Sequence, residues 1–230
     1  PRVVDAMLPW FYQNPGNAAS RSHAFGWKAE EAVDYAREQV ANLISVESKE
    51  IIFTSGATEA DNLAIKGVFE MYSRKGNHII TLKTEHKAVL DACDRVEKMG
   101  GEVTYLDVDR EGLVNLEELE NAITDKTVLV SVMWANNETG VIQPIEQMSK
   151  IVKEINPNTL FHSDVVQAVA TKKLNFHNLG IESAAISGHK IGGPKGIGVM
   201  FLKTGYKIPS FFHGGKQELE RRAGTVNVSG

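Results

Sequence analysis

Short apolar runs alternate with amphipathic helical patterns along most of this chain, and the alternation constrains the fold more than any other feature. The apolar runs predict strands at residues 50–54, 78–82, 103–106, 128–133, 160–162, 184–187 and 199–202. Apolar residues at helical spacing predict helices at 28–43, 58–72, 88–99, 116–123 and 145–155. This order favours a three-layer α/β/α architecture around a mostly parallel central sheet. Because the sequence has no internal repeat or linker, residues 1–230 are interpreted as one domain.

The composition limits the partners to be expected. The formal net charge of −4 gives no electrostatic reason to expect nucleic acid or an anionic membrane surface. No apolar run approaches the length of a transmembrane helix. Cys93 is the only cysteine, which excludes an intrachain disulfide and a multi-cysteine metal cluster and favours a reducing, cytoplasmic compartment. Because the chain begins at Pro1 without a methionine, we expect a piece of a longer protein.

The loops that follow the predicted strands carry the candidate functional residues, because ligands of parallel sheets bind beyond the carboxyl ends of the strands. Residues 55–59 read Ser-Gly-Ala-Thr-Glu and open a predicted helix. The N-terminus of a helix binds anions such as phosphate, Gly56 permits close approach, and Thr58 can donate its hydroxyl. The alternative is that Thr58 only caps the helix.

Three later loops offer polar groups of other kinds. His86 follows the second strand and is either a stacking or acid–base group or an ordinary surface histidine. Asn136 and Asn137 follow the fourth strand and either bind a ligand oxygen or form a turn. Asp164 follows a buried-looking strand, where an unpaired carboxylate is unfavourable. It therefore either pairs with a cation, such as the protonated ring nitrogen of a cofactor, or caps a helix.

Lys190 ends the stretch Ser187-Gly188-His189-Lys190, which follows another apolar run and precedes a glycine-rich loop. A partly desolvated lysine at a strand end loses its proton readily and attacks carbonyl groups. The alternative is a solvated loop lysine. Further along the chain, residues 221–225 combine arginine, glycine and threonine, which indicates either an anion contact or a solvated basic loop.

Together these loops supply a phosphate-binding helix end, a histidine, amides, a carboxylate and a lysine at one edge of the sheet. Pyridoxal 5′-phosphate requires this combination: a lysine that bonds to it, a carboxylate that keeps its pyridine nitrogen protonated, and a site for its phosphate. Each loop alone is unspecific, but the set in this order predicts pyridoxal phosphate as the cofactor.

The sequence resembles the class V aminotransferase group of fold-type I pyridoxal-phosphate enzymes, and within it the NifS/IscS-like cysteine desulfurases. The resemblance covers essentially all 230 residues and implies the large, cofactor-binding domain of such a transferase. Its specific stretches are Asn14-Pro15-Gly16-Asn17, Ser20-Arg21-Ser22-His23, 53–59, 84–89, Asn136-Asn137-Glu138 and Ser187-Gly188-His189-Lys190.

The resemblance implies a role for each candidate residue. Lys190 would bond to the cofactor and move protons at the substrate, and His86 would stack on the ring and assist proton transfer. Asp164 would pair with the ring nitrogen. The other candidates would hold the ring's phenolic oxygen or the phosphate: Asn137, Gln167, Ala57 through its backbone, Thr58, Ser187 and His189.

The resemblance also implies partners. L-cysteine would be the substrate and would leave as L-alanine, its sulfur passing to an enzyme thiolate as a persulfide. An iron–sulfur scaffold or another sulfur-acceptor protein would then receive the sulfur. Thr225 would reach the phosphate of the cofactor in a second copy of the chain, so a homodimer is expected.

Three features depart from the family pattern. The family places its catalytic cysteine beyond residue 230. The arginine that binds the substrate carboxylate also lies beyond residue 230, in a small domain. The first active-site turn of the family precedes Pro1. Cys93 matches no family position and is interpreted as a structural thiol. Val165 replaces a small residue and is expected to crowd the ring face of the cofactor.

These departures leave alternatives open. The first is selenocysteine lyase or another class V lyase or aminotransferase that uses the same cofactor. The second is a truncated assembly module without turnover. In each case we expect residues 1–230 alone to be inactive in sulfur transfer, and no metal site is expected.

Overall fold

A seven-stranded sheet forms the centre of the computed structural model, which describes residues 1–171 and 174–230. The strands in these residues are β1 (Ile51–Thr54), β2 (His78–Leu82), β3 (Glu102–Leu106), β4 (Thr127–Ser131), β5 (Leu160–Asp164), β6 (Ser183–Ser187) and β7 (Gly198–Leu202). Their order across the sheet is β1-β7-β6-β5-β4-β2-β3.

Only β7 runs against the rest of the sheet. It pairs antiparallel with β1 and β6, whereas the pairs β2–β3, β2–β4, β4–β5 and β5–β6 are parallel. The carboxyl ends of β1, β2, β4, β5 and β6 therefore lie at the same edge, where a ligand site is expected. The predicted mostly parallel sheet is confirmed.

Helices cover both faces of the sheet and complete the three predicted layers. Helices α4 and α5 pack against one face through buried residues such as Leu63 and Val89. Helices α3, α6 and α7 pack against the other face through Ile44, Leu119 and Met148, respectively. The helices of the described residues are α1 (Arg2–Met7), α2 (Pro9–Tyr12), α3 (Ala24–Ile44), α4 (Ala57–Tyr72), α5 (Lys87–Lys98), α6 (Leu116–Ala122) and α7 (Ile145–Ile155). In the described parts of the chain, no helix is long and apolar enough to span a bilayer.

The structure departs from the prediction mainly near the N-terminus. Helix α3 begins at Ala24 rather than at residue 28, because the backbone N–H of Gly26 donates to Nδ1 of His23 and caps the helix there. Helices α1 and α2 were not predicted. Neither of them buries a residue. Val4, Leu8 and Phe11 recur at helical spacing in this segment, a signal that the prediction missed, and all three are exposed in the structure.

Candidate active site

A cavity of about 490 Å³ lies at the carboxyl edge of the sheet. The loops after β1, β2, β4, β5 and β6 all contribute to its wall, which follows from the common direction of these strands. The predicted site residues that line it are Ala57, Thr58, His86, Asn137, Asp164, Gln167, Ser187, His189 and Lys190. The structure thus brings every predicted site residue except Thr225 to one cavity.

The N-terminus of α4 opens into this cavity without a side-chain cap. Gly56 is the N-cap residue and no described side chain accepts a hydrogen bond from the N–H groups of the first turn, so Thr58 does not cap the helix. The backbone N–H groups of the first turn are therefore available to an anion, together with the positive end of the helix dipole. A Cβ on Gly198 would lie 2.5 Å from Cα of Gly56, which explains why β7 begins with glycine beside this turn.

Ser187 and His189 form the opposite side of the anion-binding end. The hydroxyl of Ser187 lies 2.9 Å from Nδ1 of His189, and both residues line the cavity with Thr58. The pair is held by the tight turn that leaves β6, where Gly188 begins a short 3₁₀-helix ending at Ile191.

Glu59 places a carboxylate beside the same helix end. Its ion pair with Arg222 was not predicted from the sequence. Arg222 donates to Glu59 through Nε at 2.7 Å, and the backbone N–H of Ser55 donates at 2.8 Å. Burial alone would raise the pKa of Glu59, but these two donors hold it below its usual value. The anion contact suspected for residues 221–225 is thus an ion pair with a carboxylate of this chain.

Replacing Arg222 by glutamine is expected to weaken phosphate binding at the helix end. The unpaired Glu59 carboxylate would then repel the anion, and we expect the affinity for pyridoxal phosphate to fall about tenfold. The measurement is cofactor titration of the full-length apoprotein. Arg221→Gln is the matched control, because the one hydrogen bond that the Arg221 side chain makes among the described residues goes to the backbone carbonyl of Lys49, at 3.4 Å. Equal affinities in the two variants would contradict the assignment.

Asp164 ends the central strand β5 and is 5% exposed. Its Oδ1 accepts a hydrogen bond from the backbone N–H of Val166 at 2.9 Å, and Oδ2 has no hydrogen-bond partner among the described residues. No described helix begins at Asp164, so its carboxylate caps the turn that follows β5 rather than a helix. Burial, aided by the neighbouring Asp61, raises the pKa of Asp164 to about 6. A cation in the cavity would stabilise the ionised carboxylate.

Three further titratable groups lie behind Asp164 and were not predicted. Asp61 on α4 is completely buried, and its Oδ1 lies 3.1 Å from Nε2 of His162 on β5. Glu85, before α5, accepts a hydrogen bond from the backbone N–H of Met133 at 2.7 Å. Oδ2 of Asp61 and Oε2 of Glu85 are buried without a partner among the described residues. Burial therefore raises the pKa of Asp61 to about 8 and that of Glu85 well above its usual range, and lowers the pKa of His162 to about 4.

The buried Asp61 and His162 make the free energy of unfolding of the apoprotein depend on pH. The folded state keeps a proton on Asp61 up to about pH 8, whereas an unfolded aspartic acid loses it near its usual pKa of 3.8. The free energy of unfolding therefore falls as the pH rises towards 8. The lowered pKa of His162 opposes this trend only below pH 6.5, the usual pKa of histidine.

Between about pH 6.5 and pH 8, Asp61→Asn should gain stability relative to the wild type by on the order of 1 kcal/mol per pH unit. The measurement is the denaturant midpoint of the full-length apoprotein across this range. Glu70→Gln, which removes an exposed carboxylate from the same helix, should run parallel to the wild type. An Asp61→Asn curve parallel to both would show that Asp61 is ionised in the folded state.

His86 is exposed at the mouth of the cavity, immediately before α5. The backbone N–H of Ala88 donates to its Nδ1 at 3.1 Å. This contact fixes the proton of the neutral ring on Nε2, the nitrogen that remains available to a ligand. Its exposure fits the alternative of a surface histidine, and its place in the cavity wall fits the alternative of a stacking or acid–base group.

Lys190 lies on the short 3₁₀-helix after β6 and lines the cavity, but its side chain is exposed. The expectation of a partly desolvated amine is therefore wrong for this structure. The cavity is open at this point, and among the described residues Lys190 makes no hydrogen bond or ion pair. Its amine is free to bond to a ligand that enters the cavity.

Thr225, Cys93 and Val165 lie outside this cavity. Thr225 is exposed and lines a neighbouring cavity of about 90 Å³. Cys93 is fully buried on α5, as the structural interpretation required, and burial raises the pKa of its thiol to about 12. Val165 packs in the core on the face of β5 opposite to Asp164, because successive side chains alternate between faces. The expected crowding of the ring by Val165 is therefore wrong, and Val166 lines the cavity instead.

The residues of this cavity fit pyridoxal phosphate. The uncapped end of α4 suits the phosphate, and the buried Asp164 has a carboxylate oxygen that lacks a partner and suits a protonated ring nitrogen. Asn137 and Gln167 lie on the wall with Asp164, where amides can bond to the phenolic oxygen. In the described residues, no group of three or more metal-ligating side chains is placed to hold a metal ion.

Comparison with known proteins identifies the family. The model of the class V aminotransferases matches residues 1–230, the whole chain. The chain belongs to the class V aminotransferase family. Members of this family depend on pyridoxal phosphate, which agrees with the predicted cofactor.

Relatives of the chain in this family are named cysteine desulfurase IscS. The one from Rickettsia massiliae (strain Mtu5) is 51% identical over 228 residues, and the one from Ehrlichia chaffeensis (strain ATCC CRL-10679 / Arkansas) is 53% identical over 228 residues. Each alignment covers 98% of this chain but 55% of the relative. The chain thus spans about half the length of the curated relatives it matches.

Solved structures confirm the fold-type I architecture of the class V family. A NifS-like protein superposes with a TM-score of 0.97 at 41% identity, covering 100% of this chain and 62% of that protein. SspA in complex with cysteine superposes with a TM-score of 0.95 at 35% identity, covering 99% of this chain and 65% of that protein.

Proposed function

We propose that this chain is the cofactor-binding large domain of a pyridoxal-phosphate-dependent cysteine desulfurase. The observation that carries the proposal is the single cavity that gathers an uncapped helix end, Asp164, His86 and Lys190. The IscS desulfurase relatives, 51% to 53% identical to the chain, support desulfurization among the reactions of the family. A neighbour solved in complex with cysteine supports L-cysteine as the substrate.

Pyridoxal phosphate supplies an electron sink that stabilises negative charge next to the amino group of a bound amino acid. The chain would hold this group at three points. The first turn of α4 with Thr58, Ser187 and His189 would bind the phosphate, Asn137 and Gln167 would bind the phenolic oxygen, and Asp164 would bind the ring nitrogen. Ionised Asp164 would keep a proton on that nitrogen, because the pair of opposite charges is buried.

Two side chains are placed to move protons. Lys190 would bond to the cofactor before substrate arrives and, once released as a free amine, would take the proton from the α-carbon of the substrate. His86, with Nε2 available, would stack on the ring and exchange a proton with the substrate amine or thiol.

The sulfur step requires a thiolate close to the substrate sulfur. The thiolate would attack the γ-sulfur of L-cysteine, and the carbon–sulfur bond would break with its electron pair left on the substrate. A proton added to the β-carbon and a proton returned to the α-carbon would complete L-alanine. Cys93 cannot serve, because it is buried on α5 and burial raises its pKa to about 12. We therefore assign the nucleophile to a part of the full-length protein outside residues 1–230.

The test is the production of alanine and sulfide from L-cysteine by the full-length protein loaded with pyridoxal phosphate. We expect equal amounts of both products with a thiol reductant, and unchanged rates in Cys93→Ser. Residues 1–230 alone should not sustain turnover. Turnover by residues 1–230 that disappears in Cys93→Ser would show that the nucleophile has been misassigned. Turnover of selenocysteine as the only substrate would favour a selenocysteine lyase. Transamination would favour another class V activity, and cofactor binding without turnover would favour an assembly module.

The proposal extends to partners. Thr225 lies exposed beside the cofactor cavity rather than within it, which suits a contact with the cofactor phosphate of a second copy in a homodimer. An iron–sulfur scaffold or another sulfur-acceptor protein would receive the persulfide sulfur. On the resemblance to the desulfurases alone, we place the protein in the cytoplasm.

A further inference from the structure

Asp61 occupies an unusual place for a carboxyl group. It lies on the second turn of α4, is 0% exposed, and belongs to the wall of the cofactor cavity. Its Oδ1 lies 3.1 Å from Nε2 of His162, and Nδ1 of His162 lies 2.9 Å from the hydroxyl of Ser183. A hydrogen-bonded chain thus runs from α4 through β5 to β6, because His162 and Ser183 are direct neighbours across these strands.

This chain lies directly behind Asp164. His162 and Asp164 are two residues apart on β5, so their side chains project from the same face of the sheet, towards α4. The other titratable groups that face Asp61 are Glu85, before α5, and Cys93 on α5. His86 faces Asp164. Among the described residues, no lysine or arginine forms an ion pair with Asp61 or Asp164.

A buried cluster of three carboxyl groups without a lysine or arginine cannot hold three negative charges. Asp164 has a backbone donor and faces the cavity, whereas Oδ2 of Asp61 is buried without any partner among the described residues. Ionisation therefore costs least at Asp164. The geometry assigns the charge to Asp164 and a proton to the Asp61–His162 pair.

We propose that Asp61 and His162 are positioning residues that act through Asp164: the pair shares a proton behind the carboxylate and thereby sets how tightly Asp164 holds the proton of the cofactor nitrogen. The proposal rests on the proposed function in one respect, since it places the cofactor ring against Asp164. While the pair is protonated it is neutral, and Asp164 carries the negative charge of this buried cluster. When the pair loses its proton in alkaline solution, the new negative charge makes Asp164 hold the ring proton more tightly.

The first experiment uses the full-length apoprotein and needs no cofactor. Infrared difference spectra between about pH 7 and about pH 9 should show loss of a protonated carboxyl band in the wild type and in Glu70→Gln but not in Asp61→Asn. If Asp61→Asn does not fold, nuclear magnetic resonance of the wild type decides. The ring of His162 should stay neutral at about pH 6, and its signals should shift as its neighbour ionises in alkaline solution.

The second experiment uses the holoprotein and a spectroscopic readout. The visible absorbance that reports protonation of the ring nitrogen should titrate at a lower pH in Asp61→Asn, by about half a pH unit or more, than in the wild type and Glu70→Gln. The reason is that an amide at position 61 cannot become negative. A packing role alone would not move this midpoint, so the shift separates positioning from structural support.

Each outcome bears on one proposal. Equal midpoints in Asp61→Asn and Glu70→Gln, or a His162 ring that is protonated at about pH 6, would overturn the role of the pair. A wild-type protein that never acquires visible absorbance with pyridoxal phosphate would overturn the proposed function. The infrared and magnetic resonance results on the apoprotein would still decide whether the pair shares its proton.

Discussion

Replacing Lys190 by alanine is expected to abolish the visible absorbance of the cofactor-loaded protein while leaving the protein folded. Lys190 is exposed, and its side chain makes no hydrogen bond or ion pair among the described residues that a change to alanine would remove. The chemical loss is large by contrast, because Lys190 is the amine assigned to bond to the cofactor. We expect the rate of alanine formation to fall on the order of a thousandfold or more, as for the loss of a covalent catalyst.

The control for this variant is Lys203→Ala. Lys203 follows β7 and does not line the cofactor cavity, so the absorbance should persist when its side chain is removed. Circular dichroism and the unfolding midpoint should agree between both variants and the wild type. Persistent absorbance in Lys190→Ala would mean that another lysine bonds to the cofactor.

Replacing Asp164 by asparagine should cause the second largest loss. The amide can still accept the hydrogen bond from the backbone N–H of Val166, so the turn after β5 is preserved. A neutral amide cannot hold a proton on the ring nitrogen, so the electron sink is weakened. We expect activity to fall on the order of a hundredfold, with little change in the unfolding midpoint.

Asp125→Asn provides the matched control, since Asp125 is exposed before β4 and makes no hydrogen bond among the described residues. Its activity should equal that of the wild type. Comparing kcat and KM for both variants would show whether the loss lies in the chemical step. Full activity in Asp164→Asn would show that Asp164 only shapes the turn.

The layers of the fold could be predicted from the sequence because their signals are local. The strand at His78–Leu82 and the helix at Ile145–Ile155 have the predicted bounds, since each combines an unbroken apolar pattern with clear punctuation. The antiparallel direction of β7 could not be predicted in this way. It follows from pairings with β1, more than a hundred positions away in the chain, as for Ile51 opposite Phe201.

In the candidate site as well, residues with a local sequence signal could be predicted and contacts between distant residues could not. Thr58, His86, Asp164 and Lys190 could be found because each follows a recognisable strand at the same edge of the sheet. The pairs Asp61–His162 and Glu59–Arg222 could not, because they join residues distant in the sequence. The signal available for the first pair was a run of polar residues, His162 to Asp164, in an otherwise apolar central strand.

The central claim is that Lys190, at the turn after β6, bonds to pyridoxal phosphate within the cavity at the carboxyl edge of the sheet. Peptide mass mapping of the full-length holoprotein after borohydride reduction tests it most directly, because reduction fixes the cofactor on the amine that carries it. Lys195 is the informative rival, since it lines the same cavity. We expect the pyridoxyl mass on the peptide containing Lys190, with fragment ions that place it on that residue. A label on Lys195, or on a lysine outside the cavity, would contradict the claim.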